Sequence, residues 1–309
     1  MVGIVAIWGT GRSSSPKIYR RKCWRYASFF VVPDQSLSPK MRVGLLLHKC
    51  NRWLQSVLEK SFVGKIINHT FHEQRERRST VCFVAATRLS KDDFSRKAWL
   101  GKRLNGWRDQ QWITTRIAYE NRKGLPAVYN QAIDQAQPHD VLVFLHDDTW
   151  LTSEESVKEI LRGLRRYDVI GIAGNTRRTP GQPAWHLRKE AEGDMVWDHP
   201  HLSGAVRYGT ISNNQLNQFG PWPADCELLD GVMLAARADV LKRAGLRFDE
   251  RFDFHFYDLD FSRSARALGL RIGTWPVQLL HESAGNFGDP KWSANCDRYL
   301  EKWHDYQNK

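Results

Sequence analysis

Residues 141–149 constrain the fold of this chain more than any other stretch. Five consecutive apolar residues, 141–145, are rich in β-branched and aromatic side chains and predict a buried parallel strand. His146, Asp147 and Asp148 follow the strand directly, and ligands of open α/β sheets lie beyond the carboxyl ends of the strands. An imidazole and two carboxylates at that position predict a site for Mg²⁺ or Mn²⁺. Capping of the next helix by an aspartate is the alternative interpretation.

Short apolar runs alternate with helical patterns from residue 80 onward, which is typical of βαβ units and a parallel sheet. The first strand is not followed by G-x-G-x-x-G, and the chain contains no G-x-x-x-x-G-K-[ST], which weighs against a dinucleotide fingerprint and a P-loop. We interpret residues 174–224, which are rich in Gly, Pro, Asn, Trp and His, as loops and short strands over the active face. The other predicted strands are 80–86, 112–119, 169–173, 226–236 and 270–275, and the predicted helices are 91–104, 125–136, 153–167, 238–244 and 261–268.

The net charge of +12 is unevenly distributed. Residues 1–78 hold 15 Lys and Arg against 4 Asp and Glu, whereas residues 79–309 hold 31 against 30. The main part of the chain is therefore nearly neutral, and we do not expect nucleic acid as its partner. Five scattered cysteines without a C-x-x-C pair argue against a zinc ribbon or a disulfide framework and fit a reducing cytosol.

Changes in composition divide the chain into three parts. We predict a basic N-terminal extension at 1–78, a main domain at 79–287 and a C-terminal tail or helix at 288–309. Within the extension, residues 42–68 read as a basic amphipathic helix that either lies on an anionic membrane surface or packs on the main domain. Residues 1–40 are interpreted as an upstream extension of the reading frame.

Six short motifs lie between Ser79 and Phe287, namely Asn121–Asn130, Phe144–Asp148, Leu229–Gly231, Phe248–Phe252, Tyr257–Asp260 and His281. The order of these motifs resembles that of family 2 glycosyltransferases of the GT-A fold. The resemblance is greatest to the bacterial subgroup described as glycosyltransferase-like. It implies an α/β fold of GT-A type, with a mostly parallel, Rossmann-like sheet flanked by helices, preceded here by the basic extension.

The resemblance implies a metal-dependent, inverting glycosyltransferase. Such an enzyme moves a sugar from a nucleotide-sugar donor, expected to be a UDP-sugar, to a hydroxyl group on a saccharide, lipid-linked or protein acceptor. The implied setting is bacterial surface polysaccharide or glycoconjugate synthesis in the cytoplasm or at the inner face of the membrane. Another metal-dependent nucleotide hydrolase or nucleotidyltransferase, or a non-catalytic basic binding protein, is the alternative.

The resemblance also assigns the metal ligands and the base. Asp148 matches the last aspartate of the family's D-x-D motif, His146 replaces the first, and His281 matches a histidine that completes the Mn²⁺ or Mg²⁺ site. Asp258 matches the carboxylate that deprotonates the acceptor. Asp260 is the alternative base, because the residue before Asp258 is a tyrosine where many members have glutamate.

The nucleotide is expected over the ends of the first two strands and the sugars nearby. An indole ring such as that of Trp185 suits stacking on a sugar, with ordinary packing as the alternative. The candidates for the donor nucleotide are Thr87, Arg88, Glu120, Asn121, Lys123 and Asp147, and those for the acceptor or sugar are Asp230, Gly231 and Trp222.

Overall fold

The computed structural model describes residues 80–190, 194–283 and 288–304. These residues form strands in two main sheets and helices that pack against them. The helices are α1 (Lys91–Lys97), α2 (Trp99–Asn105), α3 (Leu125–Gln135), α4 (Glu154–Arg166), α5 (Ala238–Ala244), α6 (Tyr257–Ala267) and α7 (Pro290–Lys302). The strands are β1 (Val81–Ala86), β2 (Ile113–Ala118), β3 (Val141–Leu145), β4 (Thr149–Leu151), β5 (Val169–Gly171), β6 (Ala173–Asn175), β7 (Leu187–Lys189), β8 (Met195–Trp197), β9 (Leu202–Gly209), β10 (Asn214–Gly220), β11 (Ala224–Asp225), β12 (Leu228–Leu229), β13 (Met233–Arg237), β14 (Ile272–Thr274) and β15 (Leu279–His281).

The larger sheet has seven strands in the order β11-β14-β5-β13-β3-β1-β2. Strands β2, β1 and β3 are parallel to one another, as are β5 and β14, whereas β13 lies antiparallel between β3 and β5. The five residues of β3 are fully buried, as the uninterrupted apolar run predicts. This architecture confirms the predicted fold class, a mostly parallel α/β sheet flanked by helices.

The strand directions bring several chain segments to one edge of the larger sheet. Strands β1 and β3 end at this edge because they run parallel. Strand β13 begins there, because Met233 pairs with Leu145 at the end of β3. The residues that follow β1 and β3 and those that precede β13 therefore meet, and we call this border the site edge.

A second sheet covers the site edge, with the order β12-β6-β9-β15-β4 and β10 paired to β9. Within it, His281 of β15 lies opposite Thr149 of β4. Residues 174–224 contain longer strands than the short ones predicted, since β9 has eight residues and β10 has seven. The polar residues of β10 are mostly exposed along its length, so the sequence lacks the alternation that indicates a half-buried strand.

Two predicted strands are divided between the sheets. The apolar run 169–173 forms β5 in the larger sheet and β6 in the second sheet. The run 226–236 forms β12 and β13, separated by a turn in which the Asp230 carboxylate accepts a hydrogen bond from Val232 N at 2.7 Å. The aspartate satisfies the backbone locally, and the chain changes sheets at this turn.

Helix α7 packs against α6 through aromatic and charged groups. The ring of Tyr299 lies 5.3 Å from that of Phe256. Lys302 Nζ lies 2.6 Å from an Asp260 carboxylate oxygen and 2.8 Å from one of Asp249, and Trp303 Nε1 donates to Asp260 at 2.9 Å. Asp260 is fully buried, so this ion pair lies in a poorly solvated region.

The predicted helix at 42–68 and the whole basic extension at 1–78 lie outside the described residues. Among the helices within the described ranges, every one is too short or too polar to span a bilayer.

We predict that Lys302→Met destabilises the fold by about 2 kcal/mol at neutral pH, because it leaves Asp260 buried without its cation. Burial already raises the pKa of Asp260, and Lys302 opposes that shift. The loss should therefore be smaller at pH 4, where more of the folded-state carboxyl is protonated and needs the cation less, than at pH 7. Urea unfolding at the two pH values measures it.

Lys158→Met is the matched control, because Lys158 forms an exposed ion pair with Glu155 on α4. An equal loss of stability in both variants, or a loss from Lys302→Met that does not change with pH, would contradict the prediction.

Candidate functional site

Three side chains at the site edge form a compact group of possible metal ligands. His146 and Asp148 lie between β3 and β4, and His281 ends β15. One ligand atom from each lies within 4.8 Å of those of the others. His281 Nε2 is 3.3 Å from Asp148 Oδ1, and the imidazole centroids of His146 and His281 are 5.6 Å apart. The pairing of β15 with β4 thus joins residues from distant parts of the sequence.

A hydrogen-bonded chain fixes the protonation of His146. The Tyr257 hydroxyl donates to the Gly231 carbonyl at 2.8 Å, because a carbonyl oxygen only accepts. The same hydroxyl lies 3.1 Å from His146 Nε2, so Nε2 carries the proton and donates to it. Burial, together with the charge of His281, lowers the pKa of His146. The ring is therefore neutral with Nδ1 unprotonated, the form in which an imidazole nitrogen binds a cation.

Asp148 has the electrostatics of a metal ligand. Burial favours its neutral form, but the adjacent His281 outweighs burial and holds the pKa of Asp148 well below its usual value. Within the described residues its Oδ1 atom is buried and has no hydrogen-bond partner. The contact with His281 Nε2 at 3.3 Å compensates this buried, ionised oxygen in part, and a bound cation would complete the compensation. One carboxylate and two imidazoles form a mixed oxygen and nitrogen set that suits a divalent transition-metal cation.

Asp258 lies in the first turn of α6, next to the group of ligands. Its carboxylate accepts a hydrogen bond from Gly231 N at 2.9 Å. Burial and the charge of Asp230 raise the pKa of Asp258 to about 7. Phe256, which precedes the helix, has a left-handed backbone with φ of 68°, a strained conformation for a bulky residue that concentrates at functional sites.

Asp260 faces away from this site towards α7. Neither aspartate caps α6, since the helix begins at Tyr257 without a side-chain cap. The helix thus begins at Tyr257 rather than at the predicted residue 261.

A cavity of about 290 Å³ lies over Asp258. His146 and His281 line it. Two of the residues assigned to the acceptor or sugar, Asp230 and Gly231, line it as well. The half-buried Trp222 lies outside this lining, whereas Trp185, Tyr208 and Phe254 belong to it.

A second cavity, of about 500 Å³, lies beyond the ends of β1 and β2. It adjoins the first, because Phe254 and His255 line both. Glu120 is exposed outside the lining and has a φ of 47°. The other five residues assigned to the donor nucleotide line this cavity: Thr87, Arg88, Asn121, Lys123 and Asp147.

Sequence reasoning missed the contribution of the C-terminal helix to this second cavity. Lys291 and Asn295 reach it from α7. No local signal marks these residues, because their position depends on how α7 docks against α6. Arg122, next to the predicted nucleotide residues, also lines the cavity.

Comparison with known proteins identifies related chains. The model of a family described as "Glycosyltransferase like family" matches residues 111–306. Staphylococcus aureus TarS (residues 1–349) aligns with 73% of this chain and 68% of its own at 13% identity, with a TM-score of 0.38. GalNAc-T7, solved with UDP, GalNAc and Mn²⁺, aligns with 72% of this chain and 47% of its own at 12% identity, with a TM-score of 0.41. No curated protein sequence matches the chain.

We predict that Gly231→Ala disrupts the site. A Cβ atom at this position would lie 2.4 Å from the Tyr257 hydroxyl and 3.0 Å from Asp258 Cβ. The tyrosine would have to move and would lose its contact with His146, at a cost of about 1–3 kcal/mol in stability. Thermal melting should detect this loss, and calorimetric titration should show weaker Mn²⁺ binding.

Gly106→Ala is the control, because its backbone is right-handed and the nearest atom to a new Cβ is Arg103 O at 3.3 Å. Unchanged stability and unchanged Mn²⁺ affinity in Gly231→Ala would contradict the prediction.

Proposed function

Because the chain belongs to the glycosyltransferase-like family and has the GT-A type of fold, we propose that this glycosyltransferase is metal-dependent and inverting. It would move a sugar from a nucleotide-sugar donor to an acceptor hydroxyl. One observation carries the proposal. Asp258, whose pKa lies near neutrality, adjoins a His-Asp-His group where two cavities meet.

The second cavity suits the nucleoside diphosphate of the donor. Arg88, Lys123 and Lys291 supply positive charge for phosphate oxygens. Asn121 fixes its own loop, since its amide donates to Lys123 O at 2.7 Å and its side-chain oxygen accepts from Lys123 N at 3.1 Å. Asp147 lines the same cavity and can accept from a ribose hydroxyl.

His146, Asp148 and His281 would hold the cation, for which we propose Mn²⁺ or Mg²⁺. When bound, the cation neutralises charge that develops on the leaving diphosphate. Tyr257 and Gly231 contribute by keeping His146 in the neutral tautomer.

The first cavity would hold the acceptor, with Asp258 as the general base. The carboxylate takes the proton of the acceptor hydroxyl while the acceptor oxygen attacks the anomeric carbon. The bond between that carbon and the diphosphate oxygen breaks in the same step, so the configuration inverts. A base with a pKa near 7 is partly ionised at neutral pH and also has enough affinity for the proton of the acceptor hydroxyl.

We propose a UDP-sugar as the donor and bacterial surface glycan synthesis on the cytoplasmic side of the membrane as the setting. The family resemblance supports both proposals. Asp260 has no part in the mechanism, because its carboxylate is committed to Lys302 and Trp303.

The test is nucleotide release and sugar transfer from a panel of UDP-sugars in the presence of Mn²⁺. Asp148→Ala and Asp258→Ala should each lower kcat/KM by about a hundredfold or more, because each removes a group needed in the transition state. Asp92→Ala, on the exposed surface of α1, is the control. Transfer at the wild-type rate by both folded variants would refute the proposal.

The pH dependence of transfer tests Asp258 separately. Its raised pKa predicts that kcat/KM falls about tenfold per unit as the pH drops below about 7. This decrease in kcat/KM at acidic pH reflects an ionisation of the free enzyme, so it should appear with every active donor. A profile that stays flat between pH 5 and pH 8, within about twofold, would contradict a raised pKa for the base.

The ionisation of Asp258 should also affect the stability of the fold, which should decrease rather than increase as the pH rises. The folded-state pKa of Asp258 is raised, so its favourable contribution to folding is complete at acidic pH and is lost as the pH rises through about 7. In metal-free buffer, Asp258→Asn should melt above the wild type at pH 8 and close to it at pH 4. Equal melting temperatures at pH 8 would contradict the assigned pKa.

A further inference from the structure

We propose that the acceptor is a saccharide of at least two sugar units, and that the unit behind the reacting one stacks on an aromatic platform beside the first cavity. The platform consists of Trp185, His186, Trp197, His199 and Phe219. This inference rests on the proposed function and adds the chemical class of the acceptor.

Ring contacts run without a break from the cavity wall to the surface. Trp185 lines the cavity that contains Asp258, and its ring lies 5.0 Å from that of Phe219. Phe219 is nearly parallel to Trp197 at 6.3 Å. Trp197 in turn stacks on His199 at 5.4 Å, with 15° between the ring planes. A chain of sugars that leaves the cavity would therefore meet aromatic rings along its path.

Buried hydrogen bonds hold the platform in place. Asp198, between Trp197 and His199 in the sequence, is fully buried and accepts a hydrogen bond from Asn175 Nδ2 at 3.0 Å. Its backbone N–H donates to His186 O at 2.9 Å. Asn175 Nδ2 also donates to Trp185 O at 2.9 Å. These bonds connect both ends of the platform to β6, so the rings are positioned before a ligand arrives.

The ring of Trp197 contacts His186, His199 and Phe219 and still remains exposed to solvent. About 46% of this side chain is accessible, although indoles are normally buried. An exposed aromatic group beside a ligand cavity marks a binding surface.

The polar surroundings favour a saccharide over a lipid or a protein helix. One face of a pyranose ring presents C–H groups that pack on aromatic rings, while its hydroxyls need hydrogen bonds. Next to Phe219, the exposed amides of Asn217 and Gln218 both donate and accept such bonds. Charges near the platform are paired, as in Arg177 with Asp198 and Arg188 with Glu190. The surface thus combines aromatic rings with amides, and the charges of these two arginines are neutralised by adjacent carboxylates.

The experiment uses the full chain with Mn²⁺ and UDP on a printed array of mono- to hexasaccharides. The strongest saccharide found and its shortened forms are then titrated by calorimetry. We expect binding from the disaccharide upwards and affinity for the monosaccharide that is about tenfold weaker. Trp197→Ala should weaken binding of the longer saccharide by about tenfold, to the level of the monosaccharide. Trp197→Phe should retain most of the affinity.

Ile211→Ala is the matched control, because Ile211 is equally exposed at 46% but lies in the β9–β10 turn away from the platform rings. It should bind as the wild type does. Equal affinity of Trp197→Ala and the wild type, no binding to any saccharide, or binding to phospholipid vesicles instead would overturn the inference.

Nucleotide release from UDP-sugars by the wild type separates this inference from the proposed function. Release together with saccharide binding that does not depend on Trp197 would refute the platform alone. Saccharide binding that depends on Trp197, without release from any donor, would refute the proposed function and leave the platform standing.

Discussion

The site depends on the backbone of a single residue, Gly231. Its carbonyl accepts a hydrogen bond from Tyr257 and its N–H donates one to Asp258. Leaving either group unpaired in this buried region would cost about 1–3 kcal/mol. The start of β13 and the start of α6 are thereby joined. As a result, the orientation of the Asp258 carboxylate and the tautomer of His146 are set together rather than independently.

Helix α6 contains two aspartates with different surroundings, the half-buried Asp258 beside the cavity and the fully buried Asp260. Burial raises the pKa of both Asp258 and Asp260. The two residues are two positions apart, which places them on different faces of a helix. Asp260 finds Lys302 and Trp303 and anchors α7. Asp258 instead faces the like charge of Asp230. This charge adds to the effect of burial and keeps the proton affinity of the Asp258 carboxylate high.

The sequence predicted those parts of the fold in which local pattern and environment agree. The run 141–145 is buried on both faces, so it is apolar throughout and easily recognised as β3. Long-range contacts had no such signal. The turn at Asp230 that divides β12 from β13, the exposed strand β10 and the arrival of Lys291 at the second cavity all depend on tertiary packing. The face of α6 that meets α7 likewise had no sequence signal, and the structure places Asp260 on that face.

The position of His281 has a consequence for synthesis of the protein on the ribosome. Strand β15 inserts between β4 and β9, two strands made earlier. A nascent chain that stops before this strand lacks one side chain of the His-Asp-His group and leaves a gap in the second sheet. Incomplete translation products would consequently be unable to assemble the full group, and its completion would coincide with a late step of folding, because such non-local pairing forms slowly.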